Sequence, residues 1–207
     1  MSRPFAIVGR GGLFSVIRET LGGEGFLGFY DDRPCDDPLF LGPIDAARPV
    51  KGGTVFVAIA ALRNMLLREQ LLLRLAAETG HCAISSKAYR APSAELGGGS
   101  VICPFVCLHS NVRVGYGAVL FSGSVIEHDS VIGNNVNVGP GVAVAGRVTV
   151  GDNVFIGAGS TIIDGITVGR NSVVGAGSVV VRDIPPNMIV YGNPARVARS
   201  NDLYRPV

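Results

Sequence analysis

From Leu96 to Val180 an aliphatic residue returns at every sixth position: Leu96, Ile102, Leu108, Val114, Leu120, Ile126, Ile132, Val138, Val144, Val150, Ile156, Ile162, Val168, Val174 and Val180. A helix repeats its faces every 3.6 residues and a strand every two, so neither explains a strict period of six. Short strands joined by tight corners do. Four positions after each aliphatic residue comes a second small or aliphatic one, such as Ser100, Ala118, Ser124, Val136, Ser160 and Ser178. A slower period is superimposed. GNN at 133–135, GDN at 151–153 and GRN at 169–171 recur every eighteen residues, as do GPG at 139–141 and GAG at 157–159 and 175–177. Three hexads therefore make one eighteen-residue repeat, with corners rich in the residue types that tolerate a positive φ.

The first 88 residues follow another pattern. FAIVG (5–9) reads as a strand running into the glycine loop GRGG, followed by a helix through 13–21. FLGFY (26–30) reads as a second strand ending at Asp31 and Asp32, and TVFVAIA (54–60) as a third leading into a helix over 62–78. This βαβαβ order predicts a parallel sheet with helices against it, and such sheets bind ligands at the carboxyl ends of their strands. Gly9, Gly11, Gly12, Asp31 and Asp32 all fall there. The third glycine of a GxGxxG fingerprint would fall on Phe14, so the loop alone reads equally well as a tight turn beside a solvated acidic loop. The chain divides into a Rossmann-like subdomain over 1–88 and a repeat domain with its tail over 89–207.

Composition removes several classes of function. The net charge is +2 and the basic residues are scattered, so no nucleic-acid partner is expected. Cys35, Cys82, Cys103 and Cys107 form no CxxC pair and read as reduced, mostly buried thiols rather than metal ligands. The amino terminus lacks the pattern of a signal peptide, and Arg63, Arg68 and Arg74 interrupt the most apolar region, so no membrane insertion and a cytoplasmic location are expected.

Setting the hexads in threes puts His128 on the third corner, with Ser110 one coil below, Gly146 one coil above and Asp164 beyond it, at the spacing of about 4.8 Å between neighbouring strands. This corner is the irregular one: His109, Glu127, Ala145 and Ile163 stand where the others carry glycine. A lone surface histidine would be unremarkable there, but Glu127 and Asp129 flank it. A carboxylate bonded to one ring nitrogen leaves the other as a base near neutral pH. Gly146 would let a substrate approach the backbone, where an N–H could hold a developing oxyanion. That combination is suited to acyl transfer.

The hexads, the segment SVIEHDSVIG, the ending YGNPARV and the amino-terminal subdomain together resemble the PglD/NeuD-like sugar acyltransferases, above all those that N-acetylate nucleotide-linked 4-amino-4,6-dideoxysugars for bacterial surface glycans such as lipopolysaccharide. The resemblance implies a left-handed parallel β-helix, a homotrimer, and acetyl-CoA as co-substrate in the crevice between neighbouring coils, with no metal. It implies His128 as general base and Asp129 as the acid that orients it. It further implies acetyl-CoA contacts at Asn137, Gly146, Ala158 and Ala176, and contacts to the nucleotide-linked aminosugar at Gly9, Gly11, Gly12, Asp31 and Asp32.

The chain departs from the family pattern at Leu13, Ala60, Ala61 and Asn137, where relatives carry a His, a Gly-Asn pair and a second His. An amide at 137 can donate a hydrogen bond but cannot relay a proton. Three other readings share the repeat: an O-acetyltransferase acting on a sugar or sialic acid hydroxyl, a zinc carbonic anhydrase, and a non-catalytic scaffold. The repeat holds only His109 and His128, too few for a site of three zinc-bound histidines. The irregular corner argues against the scaffold.

Overall fold

The computed structural model describes residues 3–75 and 81–204. Four short parallel strands, β1 (Phe5–Val8), β2 (Phe26–Tyr30), β3 (Phe40–Gly42) and β4 (Thr54–Val57), form a sheet in the order β3-β2-β1-β4. Helix α1 (Gly12–Leu21) follows β1, and helix α2 (Met65–Leu75) follows β4 after a 3-10 turn at Leu62–Asn64. The βαβαβ expectation needs correcting here: β3 and a single 3-10 turn at Ile44–Ala46, not a helix, join β2 to β4. The segment FLG is too short for its alternation to show in sequence. The helix expected over 62–78 begins only at Met65, and its residues 76–78 lie outside the described residues.

The repeat winds as a left-handed parallel β-helix. Each aliphatic residue of the hexads is the second residue of a two-residue strand, and every one from Ile102 to Val180 is buried on the coil axis. Strands eighteen residues apart pair in parallel, as Val119 with Asn137 and Arg113 with Val131. Three sheets result. The first contains Ala83–Ile84, Val101–Ile102, Val119–Leu120, Asn137–Val138, Phe155–Ile156 and Val173–Val174, and ends in a hairpin of Met188–Gly192 with Ala195–Ser200. The second runs from Tyr89–Arg90 to Val179–Val180, and the third from Glu95–Leu96 to Thr167–Val168. Ala83–Ile84 already pairs with Val101–Ile102, so the coil starts ahead of residue 89.

Serines and valines four positions past each aliphatic residue, such as Ser124, Ser130, Val136 and Ser160, fill the insides of the corners and are fully buried. At the outside of the corner between the third and first sheets, Asn135, Asn153, Asn171 and Asn187 adopt positive φ. They bond to one another in a ladder, each side-chain amide donating to the next oxygen at 2.9, 3.0 and 2.9 Å.

The amino-terminal subdomain sits on the first sheet. Its helix α2 packs Leu71 and Leu75 against Val8, Val55 and Val57 of the strands, while Met65, Arg68 and Leu72 face the coil. The guanidinium of Arg68, 1% exposed, donates to Asn135 Oδ1 and to the carbonyl of Gly117. Asn153 donates to Glu69 at 2.6 Å. Burying a guanidinium is costly unless its donors are matched. Arg68 therefore fixes where the helix, and with it the amino-terminal subdomain, can sit on the coil.

All four cysteines are free, but only Cys103 is buried; Cys35, Cys82 and Cys107 are half-buried, contrary to the expectation of mostly buried thiols. Burial pushes the Cys103 thiol up to about 11. Among the described residues no helix is long and apolar enough to cross a membrane.

Candidate active site

The corner between the second and third sheets carries His128. Backbone bonds fix its column: Asp129 N donates to Ser110 O at 3.0 Å, Arg147 N to His128 O at 2.9 Å and Gly165 N to Gly146 O at 3.0 Å. Asp129 has φ +60°, a conformation that Asp tolerates better than most residues, and this turn brings its carboxylate back toward the preceding side chain. Asp129 Oδ2 lies 2.8 Å from His128 Nδ1. Because a carboxylate only accepts, Nδ1 carries the proton and Nε2 is left with its lone pair. Asn111, one coil below, donates to Asp129 Oδ1 at 2.9 Å. That bond, then the one to His128, holds the Asp129 carboxyl below its ordinary value. The other flanking acid is engaged elsewhere: Glu127 faces His109, with Nε2 to Oε1 3.7 Å.

Gly146 lies against the imidazole. A Cβ built on it would stand 2.7 Å from His128 Nε2 and 2.8 Å from Cε1, distances that real side chains do not occupy. The ring thus covers bare backbone with its basic nitrogen, half-exposed to solvent. Ala158 and Ala176 are exposed on a different corner, between the first and second sheets, stacked through Gly177 N to Ala158 O at 2.9 Å.

Asn137 does not join them. It lies on the first sheet, 1% exposed, under the amino-terminal subdomain, where its amide donates to Ala60 O at 3.0 Å and approaches Met65 Sδ at 3.3 Å. The expectation of an acetyl-CoA contact at Asn137 is therefore corrected within one chain: the subdomain covers that sheet, and Asn137 instead ties the segment after β4 to the coil.

A second cleft opens at the carboxyl ends of β1, β2 and β4, as expected for such a sheet. It measures about 540 Å³ and is lined by all five residues expected there, Gly9, Gly11, Gly12, Asp31 and Asp32 among them. Gly9 has φ +92° and a Cβ there would meet Ile59 at 2.9 Å, so the loop needs glycine at that point. Asp31 is almost fully buried. Its Oδ2 accepts from Arg10 N at 2.8 Å and its Oδ1 from Arg33 N and Nε, both at 3.0 Å. Burial pushes its carboxyl up, but the bonds from Arg33 and Arg10 outweigh this and leave it below the ordinary value. Asp32 accepts from Ile44 N at 3.0 Å. Both acids thus brace the loops around the cleft.

The cations of this cleft, Arg10, Arg33 and Arg63, were not singled out from sequence. Arg10 stands inside the GRGG loop and could have been read from its position; Arg63, on the turn before α2, could not. A neighbouring cleft of about 630 Å³ shares Ala61 and Arg63 and is bounded by Arg199 and Leu203 of the carboxyl-terminal segment. Among the described residues no group of His, Cys, Asp and Glu side chains is arranged to hold a metal ion.

Fold and site together define a hexapeptide-coil acyltransferase carrying an amino-terminal α/β subdomain. Residues 147–182 match the model described as the hexapeptide repeat of succinyl-transferase. No curated sequence matches the chain. Among solved structures it is similar to PerB from Caulobacter crescentus in complex with CoA and GDP-perosamine, at 30% identity and TM-score 0.78 over 95% of this chain and 97% of that one. It is similar also to the acetyltransferase domain of PglB from Neisseria gonorrhoeae FA1090 in complex with acetyl coenzyme A, at 27% identity and TM-score 0.82 over 95% and 100%. WeeI from Acinetobacter baumannii AYE matches at 29% identity and TM-score 0.78 over 94% and 99%. The chain belongs to the PglD/NeuD-like family of sugar acyltransferases.

Proposed function

We propose that the protein transfers the acetyl group of acetyl-CoA to the amine of a nucleotide-linked aminosugar, with His128 as general base. The observation that carries this is the imidazole of His128, held by Asp129 at Nδ1 and presenting Nε2 over Gly146. PerB is solved with CoA and GDP-perosamine, and two of its variants with one histidine replaced by Asn or Ala are solved with the same ligands. They support a histidine at the centre of this chemistry.

In the reaction the amine lone pair attacks the thioester carbonyl carbon and a C–N bond forms as the carbonyl electron pair moves to oxygen. His128 Nε2 takes one proton from the nitrogen. Collapse of the tetrahedral species breaks the C–S bond, and the imidazolium returns the proton to the departing thiolate, yielding amide and CoA. Asp129 steadies the imidazolium formed between these steps. General-base help of this kind is worth typically about 10² to 10⁴ in rate.

Arg10, Arg33 and Arg63 supply positive charge in the amino-terminal cleft for the diphosphate of the sugar nucleotide. The first turn of α1 adds backbone N–H groups: its N-cap is Gly11, with no side chain over the helix end. The cleft belongs to the side of the coil that bears the first sheet, whereas His128 stands on the corner opposite that sheet. A sugar bound in one chain's cleft therefore reaches the histidine of another copy. The second sheet, which ends in the His128 corner, turns Tyr89, Cys107, Val125, Ala143, Thr161 and Val179 outward, while the third turns out Glu95, Arg113, Val131, Thr149 and Thr167. The second sheet, more apolar outward than the third, supports a homotrimer packed through that face. Acetyl-CoA would lie beside it, with Gly146 on one corner and Ala158 and Ala176 on the other. The product is an N-acetylated sugar nucleotide, made in the cytoplasm where acetyl-CoA is available, for surface glycan synthesis.

The test is acetyl transfer measured by CoA release with GDP-perosamine and with UDP- and dTDP-linked aminosugars as acceptors. Release of CoA with formation of the N-acetyl product is expected for one of them. Turnover of none would refute the reading.

A further inference from the structure

We propose that Asp164 is the residue that selects an amine over a hydroxyl in the acceptor, by holding the second hydrogen of the attacking nitrogen; the assignment rests on the acetyl-transfer reading above. Its basis is the column Ser110, His128, Gly146, Asp164. Gly146 is the bare position between two side chains that both lean toward it. From the point where its Cβ would be, His128 Nε2 is 2.7 Å away and Asp164 Oδ1 is 3.1 Å away. Imidazole and carboxylate, two coils apart, thus converge over the same stretch of bare backbone. Asp164 is fixed in this direction by Arg147, which binds its other oxygen, Oδ2, and leaves Oδ1 turned toward Gly146.

A nucleotide-linked sugar presents either an amine or a hydroxyl to this site. A neutral amine has two hydrogens besides its lone pair. With the lone pair aimed at the thioester, one N–H can point to His128 Nε2, which removes it, and the other to Asp164 Oδ1, which only accepts. The second hydrogen stays on nitrogen and becomes the amide hydrogen of the product, so Asp164 ends the cycle as it began. A hydroxyl has a single hydrogen. Given to His128, it leaves the oxygen lone pairs of the acceptor facing the Asp164 carboxylate, an unfavourable contact of two acceptors. Bonds from a neutral donor to a carboxylate are among the stronger ones, and leaving such an acceptor facing another acceptor is penalised further. An acceptor arriving as the ammonium is also drawn to the same oxygen.

The test compares kcat/KM for GDP-perosamine and for its analogue with a hydroxyl in place of the amine in the wild type, Asp164→Ala and Asp164→Asn, with CoA affinity measured calorimetrically in each. The expected result is a fall of at least about tenfold in the amine-to-hydroxyl ratio in Asp164→Ala, with CoA affinity unchanged. Asp164→Asn, whose amide oxygen still accepts, should recover part of the ratio. Wild-type turnover with an amine-to-hydroxyl ratio that survives in Asp164→Ala overturns the role of Asp164 and leaves the transferase reading standing. A wild type that turns over neither acceptor, nor any UDP- or dTDP-linked aminosugar, overturns both.

Discussion

Gly146 and His128 form one unit: the imidazole occupies the space that any side chain at 146 would need, with Nε2 2.7 Å from the position of the absent Cβ. A backbone atom cannot yield, so the ring must. Gly146→Ala is expected to swing His128 off Asp129 and lower kcat by at least about tenfold. The coil should stay folded, because φ at 146 lies outside the left-handed region and the alanine methyl points outward from the core. Steady-state kinetics together with thermal denaturation check both halves. A fully active Gly146→Ala enzyme would show that the ring position does not matter.

Replacing the base itself gives the larger effect. His128→Ala should lower kcat by at least about a hundredfold while acetyl-CoA binding, measured by calorimetry, stays nearly intact, since the ring is proposed to act on the acceptor nitrogen. Unchanged turnover would remove His128 from the mechanism.

His128, the hexad register and the corner with its flanking acids were all legible in the sequence, because a six-residue period fixes which residues stack and which point inward. What the sequence could not settle was which acid bonds the ring: Glu127 and Asp129 are equally near in sequence, and the positive φ of Asp129 decides between them. Asn137 was misplaced for a related reason. Periodicity assigns it to a strand but is blind to the subdomain that covers that strand, whose docking depends on Arg68, a residue that in sequence reads as a mere interruption of an apolar run. The strand β3 was missed because three residues carry no period, and Arg63 because a cation on the turn before α2 has no spacing to betray it; Arg10 alone, inside the GRGG loop, was open to reading.

Acid should act through Asp31. Its carboxyl lies below the ordinary value of 3.8, so the stabilisation from its bonds to Arg10 and Arg33 is complete above that value and is lost as pH falls through the lower folded value. Asp31→Asn should therefore lower the melting temperature at pH 7, and the gap to the wild type should narrow below about pH 4. A gap that stays constant down to pH 3 would contradict this account of the loop.

The asparagine ladder joins coil and subdomain through two residues, Asn135, which meets Arg68 and Met65, and Asn153, which meets Glu69. Asn153 accepts from Asn135 at 2.9 Å and donates to Glu69 at 2.6 Å and to Asn171 at 3.0 Å. Asn153→Ala takes an acceptor from the buried Asn135 amide and a donor from Glu69, at a corner whose φ of +60° alanine dislikes, so a loss of about 2–4 kcal/mol in unfolding free energy is expected. Asn153→Gly keeps the φ and should cost less, which chemical denaturation of the two variants can resolve.

The placement of cleft and histidine on opposite sides of one coil yields the last prediction. If a sugar bound by one copy is acetylated at the His128 of another, two inactive variants can repair each other. Arg10→Glu places a negative charge in the amino-terminal cleft, and His128→Ala removes the base; each alone should be nearly inactive. When the two are co-expressed, mixed copies of the proposed trimer would contain interfaces at which an intact cleft faces an intact histidine. In a randomly mixed trimer every interface pairs two copies, and about one in four pairings of this directed kind is intact, so roughly a quarter of wild-type activity should return, by the rotational symmetry that makes each interface of a ring head-to-tail. Activity that stays at the sum of the two variants would place cleft and base within one chain, and the geometry of the coil would then have to be revised.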